Sequence, residues 1–307
     1  MATTRRRLRS PLDLILSNPV ALKELRGRMR GPRAFVVLTG YLIVVGGFTI
    51  IIYLATTSAS LSTTGEVDGG TVGRLLFSSV VAMELFLVTF ITPAFTASAI
   101  SGEHEHQTYD LLRTTLLPER SLVWGKLFSA LAYVVLLLLA AIPLQSIAFL
   151  FGGVDVPEVY ISFITLLATA TLLGTLGIYF SSLSRRTLRA NIMTYVTAMS
   201  IAIGTAMAVI MLLSISAAAE RNAISKAAEW GLLLLQGLFV CLNPLTTLLI
   251  SQDLLINQQQ IFTFEHEFTD GTTATLPSPW IIFTILYLAI SAVIFVRTTW
   301  VLKRIDD

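Results

Sequence analysis

Seven stretches of this chain, residues 34–54, 75–100, 127–151, 160–183, 192–219, 231–250 and 280–301, are each long and apolar enough to fill the hydrocarbon of a bilayer. A crossing helix needs about 20 mostly apolar residues, because its backbone must satisfy its own hydrogen bonds away from water. The longest pieces left over are residues 1–33 and 251–279, so no soluble domain is expected. Composition agrees. Of 307 residues, 54% are apolar and 13% charged, against roughly 45–50% and about 25% in soluble domains, and mean hydropathy is +0.77. These values exclude a soluble enzyme and a disordered tail protein. The single cysteine, Cys241, excludes a disulfide framework and a cysteine zinc site. The first apolar run is itself span-length and no small-residue cleavage pattern follows it, so a cleavable signal peptide is not expected.

Lys and Arg set the orientation. Nine of them precede the first run, which places the N-terminus in the cytoplasm. Arg297, Lys303 and Arg304 at the other end also belong inside, which demands an even number of crossings. Residues 231–250 are the run that does not cross, since Asn243-Pro244 interrupts it and residues 251–279 contain no Lys or Arg. Treating it as a re-entrant or membrane-edge helical hairpin leaves six spans, with eighteen basic residues inside and only Arg74, Arg221 and Lys226 outside. Trp280 and Trp300 mark the two interfaces of the last span, twenty residues or about 30 Å apart.

Three non-spanning segments carry readable patterns. Asn18 is a good N-cap and Pro19 suits a first helical position; Leu22, Leu25 and Met29 then recur at helical spacing beside a basic stripe of Lys23, Arg26 and Arg30, and Gly31-Pro32 stops the helix. This predicts an amphipathic helix along the inner interface, either an anchor against anionic headgroups or a docking element. Between the second and third spans, Thr108, Leu111, Leu112 and Thr115 share one face of a short helix with Glu103 and Glu105 in its first turn. Pro118 ends it and Ser121 caps the next helix. Such a helix, held between two spans and projecting into the cytoplasm, suits transmission of force from a soluble motor. On the outer side, Phe262, Phe264, His266 and Phe268 alternate with polar residues before an Asp270-Gly271 turn and a return over residues 272–276. That is a β-hairpin, serving as a substrate-contacting flap or as a cap over the re-entrant segment.

The stretch from Gly102 to Leu112, with Glu103, Glu105, Thr108, Asp110 and Leu111 between, followed by Thr114-Thr115, Pro118 and Gly125-Lys126, resembles the coupling-helix segment of ABC transporter type-2 permeases. Asn18-Pro19 with Lys23-Glu24, Leu242-Asn243-Pro244 and the six-span plan with both ends inside resemble that family too. Gln107 stands where the family usually has glycine, and His104 and His106 where Lys, Arg or Gln are common. The resemblance implies a permease subunit in the bacterial plasma membrane, without enzyme activity or cofactor of its own. It implies a second permease chain, the same or related, and separate ABC ATPase subunits that hold ATP and Mg and push on Gly102, Glu103, Glu105, Thr108, Asp110, Leu111, Leu112 and Thr115. Export is the usual direction, and no nucleic-acid partner is implied.

The expected fold is therefore an all-α integral membrane protein. An N-terminal interface helix lies in residues 1–33 and a six-span permease domain in 34–307. The domain holds the coupling segment 101–126 and an outer re-entrant and β-hairpin region 220–279. Without a Gly-x-x-x-x-Gly-Lys-Ser/Thr loop the chain is not expected to hydrolyse ATP.

Glu84 is the one acid inside a span, about 14 Å from its outer start. A charge there costs at least about 2.5–3.5 kcal/mol. It is a polar contact in the transport path, an inter-subunit hydrogen bond, or a neutral acid bonded to a neighbouring Ser or Thr. Glu103-His104-Glu105-His106 and Glu265-His266-Glu267 are poor metal sites, because alternating residues diverge and the two clusters lie on opposite sides. Gly46-Gly47 and Gly174 with Gly177 suit close helix packing. A membrane complex with a mechanical or signalling task is the alternative function. An intramembrane enzyme is disfavoured, because the spans hold no nucleophile–base pair or ligand set.

Overall fold

A computed structural model describes residues 19–29, 32–63, 69–108, 118–221, 226–258, 260–268 and 272–306. Helix α1 covers Pro19–Met29, α2 Pro32–Thr63, α3 Gly69–Thr96, the short α4 Ser101–Glu105, α5 Glu119–Phe151 and α6 Val156–Leu183. Helix α7, Thr187–Met199, continues through a π turn, Ser200–Gly204, into α8, Thr205–Arg221. Then follow α9 (Lys226–Val240), α10 (Pro244–Gln258), strands β1 (Thr263–Glu267) and β2 (Thr273–Pro277), and α11 (Pro279–Asp306). Among the described residues, six helical stretches are long and apolar enough to cross a membrane: Ala34–Ala59, Gly69–Glu105, Glu119–Phe151, Val156–Leu183, Thr187–Ala218 and Pro279–Lys303. The protein is thus a helical bundle of multi-pass membrane character.

Helix α6 is the axis. Some 72% of its most apolar window is buried, against 17% in Ala34–Ala59 and in Thr187–Ala218, whose outer faces are left to lipid or partners. Leu76, Phe77 and Val81 of α3, Val134 and Leu138 of α5, and Leu166 and Ala170 of α6 form one apolar cluster. Ala168, Leu172 and Leu176 pack on the other side against Phe283 and Tyr287 of α11. Small residues let the helices close up. A side chain at Gly177 would collide with Thr96, and a Cβ at Gly174 would stand 3.1 Å from Leu127 Cδ1. A Cβ at Gly46 would meet only Leu144, at 3.8 Å, and one at Gly47 nothing within 4 Å, so of these four glycines only Gly174 and Gly177 make close contacts.

The interrupted apolar run is two helices, α9 and α10, bent by 115°. Asn243 makes the break. Its Oδ1 accepts from Leu245 N at 2.9 Å and Thr246 N at 3.1 Å, capping α10, and Pro244 takes the first helical position. Its Nδ2 donates to Ala202 O at 2.8 Å and Thr205 Oγ1 at 2.9 Å, at and just after the π turn. Tyr287 of α11 donates its hydroxyl to Leu242 O at 2.7 Å. The bend is therefore held by two neighbouring helices, in the middle of the α7–α8 stretch and nearer the start than the centre of α11. Its arms lead the other way: Trp230 of α9 stacks on Phe268 beside the hairpin, and Gln252 of α10 accepts from Ser78 and donates to Ser162.

The β-hairpin pairs in the register its alternation requires, Thr263 opposite Pro277 and His266 opposite Ala274. The expected turn residues Asp270 and Gly271 lie outside the described residues. Trp280 Nε1 donates to Ile261 O at 2.9 Å and ties the hairpin to the start of α11.

The bundle has two distinct ends. At one end, which we call basal, gather α1, residues 97–105, the start of α5, the end of α6 and the end of α11, where Leu302 packs with Ile100, Val123, Leu127 and Ile178. At the distal end lie the β-hairpin, the start of α3 and the α5–α6 connection, where Arg74 Nε donates to Gly153 O at 3.0 Å.

Candidate functional site at the basal end

Lys126 stands in the second turn of α5 with its side chain only 2% exposed. A buried ammonium is tolerated only when each of its three protons finds an acceptor. Nζ meets Glu103 Oε1 at 2.7 Å, Ala99 O at 2.7 Å and Glu24 Oε1 at 3.4 Å. One cation thus joins α1, the turn after α3, α4 and α5.

Arg28 adds a second tie from α1. It lies 3.8 Å from Glu24 one turn earlier, donates from Nη2 to Phe95 O at 3.0 Å, and stacks its guanidinium 5.2 Å above the Phe95 ring. Burial pulls its pKa below the usual value, and Glu24 opposes that shift. Phe95 in turn meets Tyr133 edge-on, and Tyr133 donates to Ala34 O at 3.2 Å. Of the expected basic stripe, Lys23 and Arg26 are exposed, and Arg30 lies outside the described residues. The side of α1 that faces the protein is read through Glu24 and Arg28 instead.

The turn between α3 and α4 is fixed from the other side. Ser181 Oγ, at the end of α6, accepts from Ile100 N and Ser101 N, both at 2.9 Å. Glu105 reaches the first residue of α7: Oε1 accepts from Thr187 N at 2.8 Å and Oε2 from Thr187 Oγ1 at 2.9 Å. It supplies the cap that Arg186 does not, placing a carboxylate where the helix dipole favours it. Gly102 sits against this contact, 3.8 Å from Thr187 Cγ2 for a Cβ built there.

The helical segment does not run unbroken from Glu103 to Thr115. Helix α4 ends at Glu105, and Gln107 takes φ +56°, in the left-handed region where glycine is at ease. Thr108 is exposed beyond it, its amide returning to Glu103 O at 3.0 Å. Asp110, Leu111, Leu112 and Thr115 lie outside the described residues.

No protein-family model matches the chain, nor does any curated protein.

A second polar contact lies deep in the bundle. Glu84 of α3, fully buried, accepts from Gln145 Nε2 of α5 at 2.9 and 2.8 Å through its two oxygens. The partner is an amide on another helix rather than the hydroxyl that the sequence suggests. Among the described residues no three His, Cys, Asp or Glu gather as a metal site.

Sequence reasoning missed Glu24, Gln145, Ser181 and Thr187 as site residues, and read Lys126 as an inside charge and as part of the Gly125-Lys126 motif, not as a buried cross-link. The available signal was polarity out of place: a lysine immediately before a long apolar run, and a glutamine inside Leu-Leu-Leu-Leu-Ala-Ala-Ile-Pro-Leu-Gln.

Proposed function

We propose that this chain is the membrane-spanning permease subunit of an ATP-driven exporter of the ABC type-2 class. In this reading it lies in the bacterial plasma membrane with both ends in the cytoplasm. The basal end is then the cytoplasmic end, α9 and α10 form a re-entrant hairpin, and six spans cross. A second permease chain covers exposed faces of the bundle, and each chain is driven by a separate ATPase subunit.

One observation carries the reading. The segment that resembles a coupling helix begins at a node where Lys126, Glu103, Glu105 and Ser181 join four helices. A push delivered near Thr108 would reach α3, α5, α6 and α7 together, because charge-assisted hydrogen bonds are short and geometrically specific. The left-handed φ of Gln107, at the place of the family's glycine, supports the same alignment. Parity supports the orientation, since the first and last described helices meet the same end of the bundle.

Native-membrane copurification with the full chain tests it. An ABC ATPase should copurify and should crosslink to a photoreactive residue placed at Thr108. Purification without any ATPase, or ATP hydrolysis by the isolated chain, overturns the proposal. Flux in proteoliposomes with the ATPase separates export from a mechanical or signalling task.

A further inference from the structure

The basal half of α11 and Tyr179 near the end of α6 line a groove of about 1020 Å³. Drug-sized ligands occupy about 300–1,000 Å³, so the groove has room for a lipid head and the upper part of its chain. Val293, Val296 and Trp300 line it and are 61%, 48% and 70% exposed, so no described part of the chain covers them. Residues 280–296 hold no charged side chain, and that stretch of α11 belongs in hydrocarbon.

Two cations line the same groove, Arg297 and Lys303. At about 100° per residue they flank Trp300, about 60° to either side of it around the helix. Along the axis Arg297 stands about 4.5 Å on the hydrocarbon side of Trp300 and Lys303 about 4.5 Å on the other. Tryptophan marks the level of lipid headgroups, so the pair straddles the depth of the phosphates. Both side chains are exposed, and among the described residues neither forms an ion pair. The sequence holds no Asp or Glu from residue 271 to 305, and Asp306 follows about 4.5 Å further from the hydrocarbon than Lys303. An arginine at that depth reaches toward the interface, where phosphate accepts paired N–H donors from it. A zwitterionic head brings an ammonium of its own into this positive field, and an anionic head does not.

We infer that this groove binds an anionic phospholipid, its phosphate held by Arg297 and Lys303 beside Trp300 and one acyl chain lying along Val296 and Val293. The inference needs the bundle to lie in a membrane and nothing of the permease reading. The purified full chain is placed in phosphatidylcholine nanodiscs with a trace of phosphatidylglycerol carrying a diazirine on the upper part of one acyl chain. A phosphatidylcholine probe with the same chains serves as comparison, and crosslinked peptides are mapped.

Crosslinks should concentrate in residues 292–303 and be roughly fivefold stronger with the glycerol head, the factor that one surface cation contributes toward an anionic lipid. Arg297→Gln combined with Lys303→Gln should erase that preference, whereas Arg297→Lys combined with Lys303→Arg keeps both charges and should retain it. The contrast between the two heads in the unaltered chain decides the matter even where the glutamine pair fails to fold. Equal crosslinking by both heads, or a preference that survives the glutamine pair or is lost equally in the charge-retaining pair, overturns the anionic class. Labelling spread evenly over α2, α8 and α11 overturns the site. Displacement by glycerol phosphate, which has the head but no chain, would make the ligand a soluble phosphate and overturn the lipid. An ATPase that fails to copurify alters none of these outcomes, and none of them bears on the ATPase.

Discussion

Lys126, only 2% exposed, donates across 2.7 Å to Glu103, whose side chain is 19% exposed and whose second carboxylate oxygen is buried. Removing one partner of a buried pair costs about 3–5 kcal/mol, because the survivor remains buried and uncompensated. Lys126→Met should therefore lower the unfolding temperature sharply in detergent. Combining it with Glu103→Gln should recover part of the loss, since the orphaned carboxylate is gone. If the double variant is as unstable as the sum of the singles, the two side chains do not form a unit.

Glu105 should behave as a cap supplied from another helix. Glu105→Ala removes both acceptors for Thr187 and is expected to loosen the first turn of α7. Hydrogen exchange should quicken at the amides of residues 187–190, while α3 and α5 keep their protection. Glu105→Gln retains an acceptor oxygen and should fall between the two. Unchanged exchange at Thr187 in the alanine variant would show that the contact is not formed in the membrane.

Much of the architecture was legible because the bilayer demands length and apolarity, and those are visible residue by residue. The six helices long and apolar enough to cross, the break at Asn243-Pro244 and the hairpin from Phe262 onward all follow from local pattern. The basal node was less legible. Glu24 and Lys126 lie 102 positions apart, and Ser101 and Ser181 lie 80 apart, so no local periodicity connects them. Lys126 entered the sequence reading among the inside cations and in the Gly125-Lys126 motif, and neither use shows that its side chain is a buried cross-link. Gln107 is a sharper case. A glutamine in a helical-looking run predicts continuation, yet the chain turns there through a positive φ. The turn is fixed by contacts on either side, Glu103 to Lys126 and Glu105 to Thr187, rather than by the residue that makes it.

That strain gives a prediction of opposite sign. Glycine loses the steric penalty of the left-handed conformation, about 1–2 kcal/mol, and regains part of it as unfolded-state entropy. Gln107→Gly should raise stability slightly, by under about 1 kcal/mol, without weakening ATPase capture. A clear loss of stability would mean that the Gln107 side chain holds the turn.

Glu84 and Gln145 satisfy each other out of reach of solvent. Gln145→Leu should leave the carboxyl without its donor and cost about 1–3 kcal/mol. Glu84→Leu removes the partner with the higher burial cost, so the pair Glu84→Leu with Gln145→Leu should be more stable than Gln145→Leu alone. Flux decides whether the contact belongs to the path. Normal assembly with unchanged transport in Glu84→Leu would make it a purely structural bond.

Cysteine accessibility tests the orientation directly. Cys241 is the only cysteine of the chain, so Cys241→Ala gives a silent background. Thr108→Cys at the basal end and Thr275→Cys on β2 are both exposed positions at opposite ends of the bundle. In intact cells a membrane-impermeant maleimide should label Thr275→Cys at once and Thr108→Cys only after permeabilisation. The two sites report on each other, because the proposed six-span arrangement puts the basal end and the β-hairpin on opposite sides of the membrane. Labelling of Thr108→Cys from outside would place the node beyond the reach of any cytoplasmic ATPase, and no rearrangement of the remaining helices could restore the drive.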